Sequence, residues 1–195
     1  MIRLNIGIRS FLAVVVIISG VYTGSAQKLQ AEVQTGSKME IHGSSNVNHF
    51  TCIFPAEEIE SLSFDFNKDA MLFRKAETRL PVATFDCGGS GINRDFRELL
   101  QEKKHPDVKI NLRRIRLTSS KEALASIGLE IAGIKNNYHL PVSFQKKKDY
   151  FITSATLPLN INDFNLEQPR KLFGLIVVHK EIEITFDLRF RLSSE

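Results

Sequence analysis

The residues that could do chemistry in this chain are few and far apart. Its five histidines, His42, His49, His105, His139 and His179, are scattered. His42 and His49 stand seven apart on or near one strand, so a regular strand points them to opposite faces, which argues against a shared metal. Asp65 and Asp69 can meet only through the shape of a loop. No G-x-S-x-G, P-loop or H-E-x-x-H pattern is present, so nucleophilic, phosphoryl-transfer and zinc-hydrolase chemistry all lack their usual residue spacing. Two features stand out. Arg94-Asp95 lies at the start of a helical pattern, where the guanidinium can meet a ligand head group or a structural carboxylate. Cys52 and Cys87 are the only cysteines. They are either a disulfide, worth roughly 3–4 kcal/mol by loop closure, or two buried thiols on separate strands. Neither belongs to a C-x-x-C motif, so redox catalysis is not indicated.

These residues must be positioned by strands. Leu62, Phe64 and Phe66 alternate with polar residues, as do Leu80, Val82 and Phe85 with one irregular step. Val108 to Leu112, Ile115 to Leu117, Ile127 to Ile131 and Tyr138 to Phe144 follow. Ile182 to Phe190 gives the cleanest period-2 run, with Glu183, Thr185, Asp187 and Arg189 on the other face. About eight to ten strands with short turns and no βα repeat imply an antiparallel barrel or sandwich. One helix is expected near Asn93–Lys104. There Asn93 serves as N-cap, Phe96, Leu99 and Leu100 form an apolar stripe, and Pro106 blocks continuation.

The first residues read as an export signal. Arg3 and Arg9 precede the apolar run Phe11–Ile18, and Gly24-Ser25-Ala26 offers a cut before Gln27. Residues 1–26 are therefore expected to be removed, 27–38 to form a polar lead-in, and 39–195 to form one domain. No later segment is apolar enough to span a bilayer, so a periplasmic or extracellular protein is expected. Without Arg3 and Arg9 the balance is 24 basic against 22 acidic side chains. The basic clusters Arg113-Arg114 with Arg116, and Lys146–Lys148, read as solvated edges or turns, not as a nucleic-acid face.

Thirteen phenylalanines and no tryptophan follow residue 26. On strand faces these supply either a packed core or the wall of an apolar cavity. Strand parity selects Phe64, Phe66, Ile110, Leu112, Ile131, Phe144 and Phe186 as the lining of such a cavity, with Arg94 as a head-group contact. No cofactor or metal is called for, and the inward faces carry no set of titratable groups that would make an enzyme.

Several segments in order resemble one family. Arg94-Asp95, Leu99, His105-Pro106 and Val108-Lys109-Ile110 resemble the "RD…L…YP-x-I-x-F" block of the YceI-like exported lipocalin-like barrels. Leu129 to Ile134 with Leu140-Pro141-Val142 is similar to that family's "L-x-I-x-G…P-V" strand pair. Ile161 to Leu166 is similar to its "R-x-D-F-G-L" stretch, and Gly43 to Phe50 to its opening strand. Here Ala132 stands where His is common, Asn165 where Gly is usual, and His105 where Tyr is usual. The resemblance implies an all-β, antiparallel lipocalin-like barrel of about eight strands with a helix by its mouth. It also implies an isoprenoid or other lipid as ligand. The alternative is a ligand-free envelope protein with a filled barrel.

Overall fold

The computed structural model describes residues 27–56, 59, 62–67 and 70–194. The expected signal peptide and Asp69 lie outside the described residues. Twelve strands alternate with short turns: β1 (Gln27–Val33), β2 (Lys38–Ser44), β3 (His49–Pro55), β4 (Leu62–Asn67), β5 (Ala70–Pro81), β6 (Asp107–Leu117), β7 (Glu122–Ile131), β8 (Ile134–Lys146), β9 (Phe151–Asn160), the short β10 (Arg170–Lys171) and β11 (Ile176–Val177), and β12 (Glu181–Ser194). All the pairings are antiparallel. The ring β1-β4-β5-β6-β7-β8-β9-β12 closes on itself through a β1–β12 ladder, giving an eight-stranded barrel.

Closure rests on the length of β12. One edge pairs with β9 along ten residues, Glu181↔Asn160 to Phe190↔Phe151. The other edge is shared: β2 takes its first half, with Ile184↔Ile41, and β1 its second half, with Leu192↔Ala31. Gly36, at φ 82°, makes the turn between those two partners, a conformation that glycine adopts without a Cβ clash. Buried Ser37 pins the turn. Its hydroxyl donates to the Gln34 carbonyl at 2.7 Å and accepts from the Arg189 N–H at 2.9 Å.

Residues 27–38, expected as a loose lead-in, are instead mostly a barrel strand. Leu29, Ala31 and Val33 alternate with polar residues and fill the gap between β4 and β12. An unpaired edge on both neighbours would leave two ladders of N–H and C=O groups open, so a short amphipathic segment suffices to recruit the strand. Two runs expected as separate strands, Val108–Leu112 and Ile115–Leu117, are one strand, β6, with a bulge between Leu112 and Arg114 that bends the strand without ending it.

The helix, α1, spans Ser90–Leu99 and so starts and ends earlier than expected. Asn93 is not its cap: Gly89 holds that position without a side-chain bond. Asn93 lies inside the first turn and braces the preceding bend. Its Oδ1 accepts from the Cys87 N–H at 2.6 Å and its Nδ2 donates to Asp86 Oδ1 at 3.1 Å. The end comes at Leu100, before Gln101 turns left-handed at φ 55°. Lys103, Lys104 and Pro106 therefore lie beyond the helix.

Candidate functional site

Cys52 and Cys87 form a disulfide, which resolves the two readings of the pair. Next to it Ile53 and Asp86 exchange backbone hydrogen bonds of 2.8 and 3.0 Å. Together they tie β3 to the segment after β5, where β3 has no strand partner of its own on that side. This seals the barrel wall at the helix end.

Inside, the barrel is two different objects. Toward the helix end the inward side chains are packed solid. Leu80, Val82, Phe85, Val108, Leu129, Ile131, Leu159 and Phe164 are all buried, and Phe85 stacks obliquely on Phe54 at 5.1 Å and on Phe96 of α1 at 5.2 Å. A void of about 60 Å³ lies there, between Phe85, Phe96, Leu100 and Phe164. Toward the other end lies one cavity of about 410 Å³. Among the described residues its wall is apolar apart from Thr78, Thr153 and Ser154, and none that lines it is ionisable. Ile110, Leu112, Val142, Phe144, Phe186 and Leu188 point inward yet are only half-buried, which is what a wall around open space produces.

The cause is visible in side-chain size. Along β7 the inward positions read Ala123, Ala125, Ile127, Leu129, Ile131; along β9 they read Phe151, Thr153, Ala155, Leu157, Leu159. Along β7 small residues stand in the hollow half and large ones in the filled half; along β9 Thr153 and Ala155 leave room between Phe151 at the rim and Leu157 and Leu159 in the filled half. Filled barrels need side chains large enough to meet across the axis, and the alanines do not reach.

Six of the seven residues chosen by strand parity, Phe64, Phe66, Ile110, Leu112, Phe144 and Phe186, share this cavity. Ile131 does not. It faces inward as expected, but in the filled half, where it lines the small void. Parity gives the face of a strand and not the height along the barrel. The residues missed include those of β1 and the ends of β9 and β12: Leu29, Ala31, Val33, Phe151, Leu188 and Phe190. Their alternation was a usable signal, and Phe151 and Phe190, cross-strand partners, stack at 5.3 Å.

Arg94 is exposed on α1 and lines neither space. The helix covers the filled end, so an arginine there cannot reach a ligand in the hollow half. Its neighbour Arg97 is the one turned to the barrel, donating to the Ala83 carbonyl at 2.9 Å. The histidines are dispersed as expected. His42 contacts the hydroxyls of Thr51 and Thr185, both at 3.2 Å, while His139 pairs with Ser126 and His179 with Ser44. His105 packs under the β7–β8 turn, against Gly133 at φ 80°, where a Cβ would meet its ring at 2.7 Å. Among the described residues no three His, Cys, Asp or Glu side chains converge to hold a metal. Nor is any helix among them long and apolar enough to cross a membrane.

The profile of the YceI-like domain matches residues 22–190. No curated protein shows a significant match. Among solved structures, BcnA of Burkholderia cenocepacia is similar at 17% identity, with a TM-score of 0.55 over 86% of this chain and 96% of that one. The YCEI protein of Campylobacter jejuni is similar at 15% identity, with a TM-score of 0.51 over 63% and 73% respectively. At such identities the two structures speak for the fold.

Proposed function

The chain belongs to the YceI-like domain family, and from that premise we propose that it is an exported barrel that binds one apolar, chain-like ligand, an isoprenoid or other lipid, in its hollow half. The family's barrels bind hydrophobic ligands. The observation that carries the reading here is the apolar cavity of about 410 Å³. That size falls within the range of small-molecule sites, and a wall whose described residues carry no charge suits a hydrocarbon and disfavours an ion.

The energetics point the same way. With no occupant, the apolar wall of the cavity stays in contact with water, which is unfavourable. An apolar occupant offsets that cost by removing its own surface and the wall's from water, at roughly 25 cal/mol per Å². Phe64, Phe66, Ile110, Leu112, Phe144 and Phe186 are the proposed contacts. Arg94 drops out as a head-group contact, because it sits at the covered end. A ligand-free protein with a filled barrel does not match the open half.

Export is supported by the Arg3, Arg9 and Phe11–Ile18 pattern and is consistent with the disulfide, which persists in oxidising compartments. A periplasmic location follows the same reading. Native mass spectrometry of protein purified from its host, followed by lipid extraction, tests the ligand directly. A co-purifying apolar chain, and a rise in melting temperature when isoprenoids are added to stripped protein, are expected. Protein that carries no lipid and whose melting temperature isoprenoids leave unchanged overturns the proposal.

A further inference from the structure

The two ends of the barrel differ in charge as well as in filling, and the two basic clusters of the sequence lie toward the hollow one. Antiparallel connectivity puts the start of β1, the end of β12 and the β6–β7 and β8–β9 turns at a single end. The turns are tight. The Phe144 N–H donates to the Lys121 carbonyl at 2.9 Å, and the Lys147 N–H to the Tyr150 carbonyl at 2.8 Å. They present Lys121, Lys146, Lys147 and Lys148, all exposed, against Glu122 and Asp149. Arg114 and Arg116 stand exposed on the outer face of β6 just behind. By contrast, residues 94–104 at the covered end nearly balance, with Arg94, Arg97, Lys103 and Lys104 against Asp95, Glu98 and Glu102.

We propose that this open end docks on an anionic lipid surface, which would let an apolar ligand pass between the bilayer and the cavity without crossing water. The docking geometry stands by itself; the transfer role rests on the cavity reading above. Three features support a bilayer as the occupant. The basic side chains stand on two neighbouring turns beside the apolar rim of the cavity, and long lysine stems can lie along apolar surface while their ammonium groups meet headgroup phosphates. Half-buried Tyr150 sits between the lysines and cavity-lining Phe151, the depth at which amphipathic rings sit at a membrane interface. The stacked Phe151 and Phe190 are at this same end.

The opposite end offers a rival. Phe173, Leu175 and Val47 are fully or largely exposed there, on loops joined by Asn46, whose side chain bonds the Leu175 carbonyl and the Val177 N–H at 2.9 Å each. Its flanking charges are mixed, so charge complementarity favours the lysine end.

The test is flotation of the protein purified from its host with vesicles of phosphatidylcholine alone or with about one-third phosphatidylglycerol. Binding is expected only to the anionic vesicles, weakening as salt rises. The triple variant Lys146→Glu, Lys147→Glu, Lys148→Glu should lower partitioning about a hundredfold, with an unchanged melting temperature showing that it folds. Reversal of Lys103, Lys104 and Lys180 at the other end should leave binding intact. Equal binding to neutral vesicles, equal loss in the control, or loss with Phe173→Ser in place of the lysine variant each overturns the proposal. So does binding to a duplex oligonucleotide with none to vesicles. Protein that docks on anionic vesicles but takes up no apolar probe sustains docking and sinks the ligand reading instead.

Discussion

The filled and hollow halves of this barrel are built from the same strands, with the same alternation and the same closed ladder, yet one is a core and the other a container. The wall is shared: β7, β9 and β12 run through both halves. What changes is the inward residue. Where Leu129 and Ile131 are packed into the core, Ala123 and Ala125 line the open cavity. The filled half also has what the hollow one lacks among the described residues: a helix laid over its end and a disulfide in its wall. The stability of the container is therefore supplied from next door, and its interior is free to be shaped by a ligand.

The same substitution made in each half gives the largest contrast. Phe164 is 1% exposed and packed in the filled half; Phe164→Ala should cost about 3–5 kcal/mol. Phe144 faces the open cavity, so Phe144→Ala creates no new void and should cost about 1 kcal/mol or less, the partial loss of its transfer energy. Denaturant midpoints at equal slope measure both. Equal losses would mean that the two halves do not differ in packing.

Removing the disulfide comes next in size. Cys52→Ala with Cys87→Ala should cost roughly 3–4 kcal/mol, by releasing a 35-residue loop in the unfolded chain. Because the bond lies in the wall of the filled half, uptake of an apolar probe by the still-folded variant should stay within about twofold of the parent at temperatures well below melting. A variant that keeps its stability but loses uptake would show that the wall, and not the filled half, depends on the bond.

The strand faces were legible from residue types, because period 2 is a local property. Phe64, Phe66, Ile110, Leu112, Phe144 and Phe186 could thus be placed on one inner surface without knowing the topology. The height of each along the axis was not legible, since it depends on register between strands distant in sequence; Ile131 fell in the wrong half for that reason. Gln27–Val33 was missed because its lysine, glutamines and glutamate mask three inward residues, and because only β4 and β12 together define the gap it fills. Asn93 had the right chemistry for a cap, but the Asp86–Cys87 bend competed for its side chain and won. The hollow itself was written in the alanines of β7 and in Ala155, a signal of size that a hydrophobic/polar reading discards.

Exchanging those alanines tests that signal at a smaller energy. Ala125→Leu and Ala155→Leu should fill part of the cavity and abolish or sharply weaken uptake of a long apolar probe. Stability should change by no more than about 1 kcal/mol, in either direction. In the filled half, Leu129→Phe has no such room and should cost about 1–3 kcal/mol. If the alanine variants still load the probe, the cavity is not the site.

Acid gives the smallest and most selective contrast. At the filled end the Asp86 carboxylate accepts from the Gly88 N–H at 3.0 Å and from Asn93, and these bonds hold its pKa below the ordinary carboxylate value. Glu130, on the outer face of β7 in the filled half, is also held low. Lys109 at 2.8 Å is the main cause, opposed by partial desolvation and helped by Lys135 at 3.1 Å. Both groups bind protons more weakly folded than unfolded. Their stabilisation is therefore fully present above the ordinary carboxylate range, near pH 4–5, and is lost as pH falls through the folded values. Glu130→Gln should cost about 0.5 kcal/mol at neutral pH, as a surface pair does, and should flatten part of the acid limb of a melting-temperature profile. Among the described residues the cavity wall carries no titratable side chain. Probe uptake, measured on the fraction still folded, should accordingly stay level across the window in which the melting temperature falls. An uptake curve that titrates with the stability curve would place an ionisable group at the ligand and dissolve the distinction between the two halves.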